Sequence, residues 1–226
     1  MKSRKKIALF TPTLSGGGAE RMMIDIANEL VKENYTVDLL FVSLAGGDYL
    51  SVVDEKINLI DFSCKRMRYV MLRLSSYLRY ERPDVIISTQ FHSNIALAIC
   101  STLVNYKGKI IFRLANMLDI LVKDPSFIRT FVTEKSIPLS YKKADFIVAQ
   151  TEIMRDEVLN NDASLDGKTI IMPNFIDQDR INQLVKEPVR HQWLDNDSNK
   201  IPIILSAGRL EPQKDWNTLL RAFQLL

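Results

Sequence analysis

Two cations, Arg209 and Lys214, stand close together in Ser206-Ala-Gly-Arg-Leu-Glu-Pro-Gln-Lys-Asp-Trp-Asn-Thr-Leu-Leu-Arg-Ala-Phe223. An apolar run ends at Gly208, Arg209 follows at once, and Lys214 precedes a helical pattern. Two cations beside a helix N-terminus, at the end of a parallel strand, make a seat for a diphosphate. Near the other end of the chain, Ser15-Gly16-Gly17-Gly18-Ala19-Glu20-Arg21 follows an apolar run and opens a helical one. Glycines there let the backbone approach a ligand, and the helix that follows points free N–H groups at the loop, which suits an anion or sugar hydroxyls. A dinucleotide fingerprint would need glycine where Arg21 stands, and a P-loop would need Gly-Lys-Ser/Thr. The competing reading is a tight strand-to-helix turn.

Further candidates sit where other apolar runs end. His92 and Asn94 follow one such run in Gln90-Phe91-His92-Ser93-Asn94. Ligands of open α/β sheets bind outside the carboxyl ends of the strands, which places both for function, although lone histidines are commonly structural hydrogen-bonders. Arg113 and Asn116 close another run. An arginine ending a buried strand is either a cleft-facing cation or half of an internal ion pair. Arg113 and His92 are therefore the catalytic candidates. Asp195-Asn196-Asp197 has the D-x-D form of metal-dependent sugar transferases, yet it follows Trp193 in a polar stretch and reads as a turn. Cys64 and Cys100 form no C-x-x-C pair, and with two histidines in the chain neither a zinc cluster nor a disulfide framework is expected. No G-x-S-x-G nucleophile motif is present.

These residues need strands to hold them. Candidates are 6–11, 36–43, 57–62, 84–89, 109–114, 145–150 and 169–172, most of them near-continuous apolar runs of the kind buried on both faces. Between them come helical stripes: Met22, Met23, Ile26, Ala27 and Leu30 in one, Met67, Val70, Met71, Leu74 and Leu78 in another. Strand and helix alternating over this length predict an α/β, Rossmann-like doubly wound parallel sheet across 1–176. Residues 177–200 are polar, with Pro188 and Asp195-Asn-Asp-Ser-Asn199, and read as a linker. Residues 201–207 (IPIILSA) then predict a new buried strand and 215–226 a helix. One βα unit cannot bury its own faces, so 201–226 is expected to begin a second, truncated α/β domain.

The 226 residues are 46% apolar and 25% charged, the globular average, which excludes disorder and collagen. A net charge of +3 does not suggest nucleic acid as a partner. Lys2 to Lys6 resembles a signal n-region, but the apolar run Ile7 to Phe10 is broken by Thr11 and Pro12, and no stretch is long enough to span a bilayer. A cytoplasmic protein is expected, and the sequons at Asn34 and Asn196 are then without consequence.

The Gly-Arg-Leu and Gln-Lys-Asp segment, the Gly-Gly-Gly-Ala-Glu-Arg loop and Pro173-Asn-Phe-Ile-Asp177 together resemble the family 4 glycosyltransferases of GT-B fold, over essentially the whole chain. The resemblance implies a retaining enzyme that moves a sugar from a nucleotide-diphosphate-sugar donor to an acceptor hydroxyl, in glycan or polysaccharide biosynthesis. It implies that Arg209 and Lys214 hold the donor's phosphates and that Gly17 and Gly18 meet its sugar and diphosphate. No cofactor and no metal ion are expected. Many members carry histidine where this chain has Arg113, and the family's later pair of glutamates lies beyond Leu226, so these residues alone are expected to be inactive. The alternative is a non-catalytic ligand-binding or regulatory α/β domain.

One helical face suggests a further partner. Opposite the Met67 to Leu78 stripe, Lys65 to Arg82 carries Tyr69, Leu72, Arg73, Arg79 and Tyr80, a mixture suited to anionic lipid headgroups, to which Lys2 to Lys6 would add. With a lipid-linked or glycan acceptor, this predicts peripheral attachment to the inner face of the membrane. A solvated or subunit-contacting helix is the other reading.

Overall fold

The computed structural model describes residues 4–44, 47, 49–65, 69–117, 136–189, 191, 202–210 and 214–225. They divide into two units, 1–176 and 177–226.

The first unit is built on seven strands: β1 (Lys6–Thr11), β2 (Thr36–Phe41), β3 (Asn58–Asp61), β4 (Val85–Thr89), β5 (Lys109–Arg113), β6 (Phe146–Ala149) and β7 (Thr169–Ile171). They form one sheet in the order β3-β2-β1-β4-β5-β6-β7, every pairing parallel. Register is set by burial on both faces. In β1, Ala8 and Phe10 enter one core while Ile7 and Leu9 enter the other, the period of two that a pleated strand imposes. Phe10 stands beside Leu40 of β2 and Ser88 of β4.

Helices α1 (Gly18–Lys32), α2 (Val70–Tyr80), α3 (Phe91–Leu103) and α4 (Glu152–Asn161) connect the strands. Met23, Ile24 and Ala27 of α1 pack on the Leu9 face; Val70, Leu74, Leu97, Cys100, Met154 and Val158, from α2, α3 and α4, pack on the Phe10 face. Residues 136–141 are also helical, and Ile137 and Tyr141 join the Phe10 core. α1 stops where Asn34 adopts φ 63°, with Tyr35 N–H bonded to Leu30 C=O and Asn34 N–H to Val31 C=O, a left-handed cap that asparagine tolerates. Both cysteines are free thiols, and the Cys100 Sγ–H donates to the Met71 carbonyl.

The second unit holds α5 (Gln178–Leu184) and α6 (Trp216–Phe223). Here the expected strand at 201–207 is corrected: residues 202–207 carry no regular structure and are exposed, Ile201 lying outside the described residues. A parallel strand needs a neighbour for its backbone N–H and C=O groups, and the described residues of this unit include none. Met67, Trp193, Asp195 to Asp197 and Glu211 to Gln213 also lie outside the described residues.

Candidate functional site

The sheet order reverses between β1 and β4, so the connections leaving these strands diverge and open a crevice at their carboxyl ends. After β1 comes the glycine loop. Gly16 takes φ 26°, and Gly17, extended at φ −92°, is the N-cap of α1 without a capping side chain. A Cβ on Gly17 would collide with Glu20 Oε2, whereas one on Gly18 would meet nothing within 4 Å. Gly17 therefore makes room for the Glu20 carboxylate to fold back, and Gly18 faces open space. Arg21 is bound to Asp25 at 2.9 Å within the same helix, so it is committed to α1 itself.

β4 ends at Thr89 and α3 begins at Phe91, leaving Gln90 alone to reverse the chain. It does so at φ 67° and ψ 141°, a conformation ordinarily left to glycine, with a cost of about 1–3 kcal/mol. Its side chain bridges the crevice: Gln90 Nε2 donates to Glu20 Oε1 at 2.8 Å. One turn into α3, Asn94 is 1% exposed. Its Oδ1 accepts from Ser88 Oγ at 2.6 Å, while its Nδ2 has no partner. An orphaned buried amide of this kind costs about 1–3 kcal/mol, the penalty a ligand would relieve. Asn94 lines a recess of about 50 Å³ with Gln90, Phe91, Leu114, Ala115, Asn116 and Tyr141, room for a few waters or one polar arm of a ligand.

Arg113 closes β5 and is 5% exposed. Its Nη1 donates to Thr89 Oγ1 at 3.2 Å and its Nη2 to Asn174 Oδ1 at 2.6 Å. Burial pulls its pKa down from the usual arginine value. No carboxylate pairs with it among the described residues. Two neutral oxygens orient the guanidinium, and its three other N–H groups have no acceptor among the described residues.

The structure thus brings Asn94 and Asn116 to one recess and Arg113 to the adjoining strand end. His92 differs: it is exposed in the first turn of α3, its ring 3.6 Å from that of Phe91, and it does not line the recess. Helical spacing explains this, since residues two apart point to different sides and Asn94 takes the inward one. Within the second unit, Trp216 Nε1 donates to the Arg209 carbonyl at 2.8 Å, which folds the segment back so that a Cβ on Gly208 would lie 3.6 Å from Lys214 Cγ. Arg209 and Lys214 are both exposed there, with Lys214 two residues before α6.

Sequence reasoning missed Glu20, Gln90 and Tyr141. For Gln90 a signal existed: a strand and a helix separated by one residue leave it no relaxed conformation. Among the described residues no cluster of histidine, cysteine and carboxylates is arranged to hold a metal, and no helix is long and apolar enough to cross a membrane.

A doubly wound parallel sheet, with glycine loop, strained turn and orphaned amide gathered at its carboxyl ends, makes this unit a Rossmann-like α/β domain. The sequence profile of Glycosyltransferase Family 4 matches residues 16–180, and the chain belongs to that family. It is 27% identical over 167 residues to an uncharacterised glycosyltransferase of Methanocaldococcus jannaschii, covering 72% of this chain and 40% of that protein. It is also 27% identical to one of Haemophilus influenzae, covering 98% of this chain and 58% of that protein. The chain therefore spans about half the length of the curated relatives it matches. The Anabaena protein HepE, solved with UDP-glucose, shares the fold at a TM-score of 0.57 and 14% identity, over 80% of this chain and 49% of its own.

Proposed function

We propose that the chain supplies the acceptor-side domain of a glycosyltransferase. The intact enzyme moves a sugar, with retention, from a nucleotide-diphosphate donor to a hydroxyl of a glycan or lipid-linked acceptor. Family membership supports the reaction class, and a neighbour that holds UDP-glucose supports the donor class. The observation that carries the reading is Arg113, a buried cation without a carboxylate partner among the described residues, next to a recess with an unused amide donor.

Each residue then has a task. Arg209 and Lys214 hold the diphosphate, and the N-terminus of α6 behind Lys214 adds a positive dipole end. Gly18 leaves space at the α1 N-terminus for the donor. Arg113 stabilises charge that develops during transfer, an electrostatic contribution that needs neither a metal ion nor a cofactor. Asn94 Nδ2 and Asn116 orient the acceptor hydroxyl. On this reading, the 226 residues by themselves form no product and bind UDP or GDP weakly.

A transfer assay on the protein at its relatives' length tests this, with labelled nucleotide-sugar donors and the Arg113→Met variant. Product formation that depends on Arg113 is the expected result. Full turnover by the variant, or no sugar transfer from any nucleotide-diphosphate sugar, removes the reading.

A further inference from the structure

α2, α3 and the helical residues 136–141 lie side by side on the Phe10 face of the sheet, and the only formal charges within them are the arginines Arg73 and Arg79 of α2. No carboxylate occurs in 70–80, in 85–108 or in 136–141. α1, on the opposite face, carries Glu20, Asp25 and Glu29, and α4 carries Glu152, Asp156 and Glu157. The bias thus belongs to one part of one layer and is not a property of the chain.

The same elements expose large apolar side chains. Leu72 is 83% exposed, Tyr80 76%, Leu103 70% and Leu139 71%, with Ile99 half-exposed. Ile95, Ile99 and Leu103 follow one another at helical spacing along α3 and line a groove of about 310 Å³ with Leu139 and Lys143. Around these groups stand Arg73, Arg79, Arg82, Lys107 and Lys143, all exposed and none paired with a carboxylate among the described residues.

At one end of the face, between the C-termini of α2 and α3, lies a recess of about 490 Å³ lined by Arg79, Arg82, Lys107, Lys109 and Asp84. Lys109 is neutralised by Asp145 at 2.8 Å, and Asp84 accepts the Lys6 backbone N–H at 2.7 Å. Glu81, just past α2, is taken by Lys6 at 2.5 Å. Arg82 holds φ 45° at the helix end, a place usually given to glycine or asparagine. Helix C-termini ordinarily draw cations, which accounts for a basic residue at each end. Dipole compensation does not account for the exposure of Leu72, Leu103 and Leu139.

Exposed leucines and a tyrosine, among cations that have no carboxylate partner among the described residues, complement an anionic bilayer, where the cations meet headgroup phosphates and the apolar groups enter the interface. We propose that the outer face of α2, α3 and residues 136–141 is a docking surface for anionic lipid membranes. This does not depend on the chemistry of the crevice, so it stands or falls separately from glycosyl transfer.

Flotation of the chain with vesicles of phosphatidylglycerol and phosphatidylcholine, or of phosphatidylcholine alone, is the test. The chain is expected to float with the anionic vesicles at low salt, not with the neutral ones, and to be released in part by salt at several times physiological strength. Arg73→Glu, Arg79→Glu and Lys107→Glu together lower the bound fraction about ten-fold or more, and Leu72→Ser with Leu103→Ser lowers the part that resists salt. Lys32→Glu, on the opposite face, changes nothing. Circular dichroism confirms that each variant is folded. Failure to float with anionic vesicles at low salt, or flotation indifferent to the three reversals, overturns the proposal. So does a concentration-dependent dimer that the leucine variants abolish and that leaves vesicles unbound.

Discussion

The Arg113 guanidinium donates to the Asn174 side-chain oxygen at 2.6 Å, joining positions 61 residues apart. This bond ties the end of β5 to the segment that leaves β7, and with Thr89 it fixes the plane of the guanidinium. Replacing a buried charge by an apolar group of similar volume is often neutral for stability or better. Arg113→Met is therefore expected to keep or raise the melting temperature of the chain while reducing kcat/KM of the intact enzyme about ten- to a thousand-fold, roughly 1.4–4 kcal/mol. A large fall in melting temperature with activity preserved would mark Arg113 as a structural residue.

Asn94 makes one bond and wastes another. Asn94→Ala leaves Ser88 Oγ without its acceptor but also removes the orphaned Nδ2, so the two terms largely offset and thermal or urea unfolding is expected to shift by about 1 kcal/mol or less. If Nδ2 addresses the acceptor, the acceptor KM rises about ten-fold and the donor KM does not move. Equal changes in both constants would place the residue outside acceptor recognition.

The two glycines separate steric from ligand effects. A Cβ added at Gly18 meets nothing within 4 Å, so Gly18→Val is expected to keep the fold, and any lost turnover reports a donor lying against the loop. Gly17→Val instead collides with Glu20 and is expected to disturb the Glu20–Gln90 bridge as well. A fully active Gly18→Val enzyme would show that the donor stays clear of α1.

Much of the architecture was legible because burial on both faces leaves so plain a mark on sequence. The apolar runs from Lys6, Thr36, Asp84, Lys109, Asp145 and Thr169 became strands within a residue or two of their expected ends. The run at 202–207 has the same composition and no strand, since composition supplies burial but not a pairing neighbour. Asn94, Asn116 and Arg113 could be placed at strand ends by position alone. The strain at Gln90, the reach of Glu20 and the orphaned Nδ2 could not, because each depends on which loops the sheet order brings opposite one another. Asn174 was visible within Pro173 to Asp177, but its link to Arg113 was not.

Acid should loosen one corner of the fold. The Asp162 carboxylate accepts from the Ser164 hydroxyl, pairs with Lys142 and accepts the Ser164 backbone N–H, and these hold its pKa at about 2. A pKa depressed in the folded state contributes stability above the unfolded value near 3.8, and that contribution is lost as pH falls toward about 2. Asp162→Asn is expected to flatten the decline of melting temperature across that window. An unchanged slope would show that other carboxylates carry it.

Arg209 and Lys214 carry the donor assignment. In the intact enzyme, each alanine substitution is expected to lower kcat/KM about ten- to a thousand-fold, with little change in fold, since both side chains are exposed. Native activity in either variant contradicts the diphosphate role.

The most direct measurement follows the anomeric carbon. Proton NMR of the product formed by the intact enzyme from a nucleotide-diphosphate sugar is predicted to show a new glycosidic bond of the donor's own configuration. One nucleotide diphosphate is released per bond, and the yield collapses in Arg113→Met and Arg209→Ala. Consumption of the donor without a new glycosidic bond, or inversion at that carbon, would contradict the account.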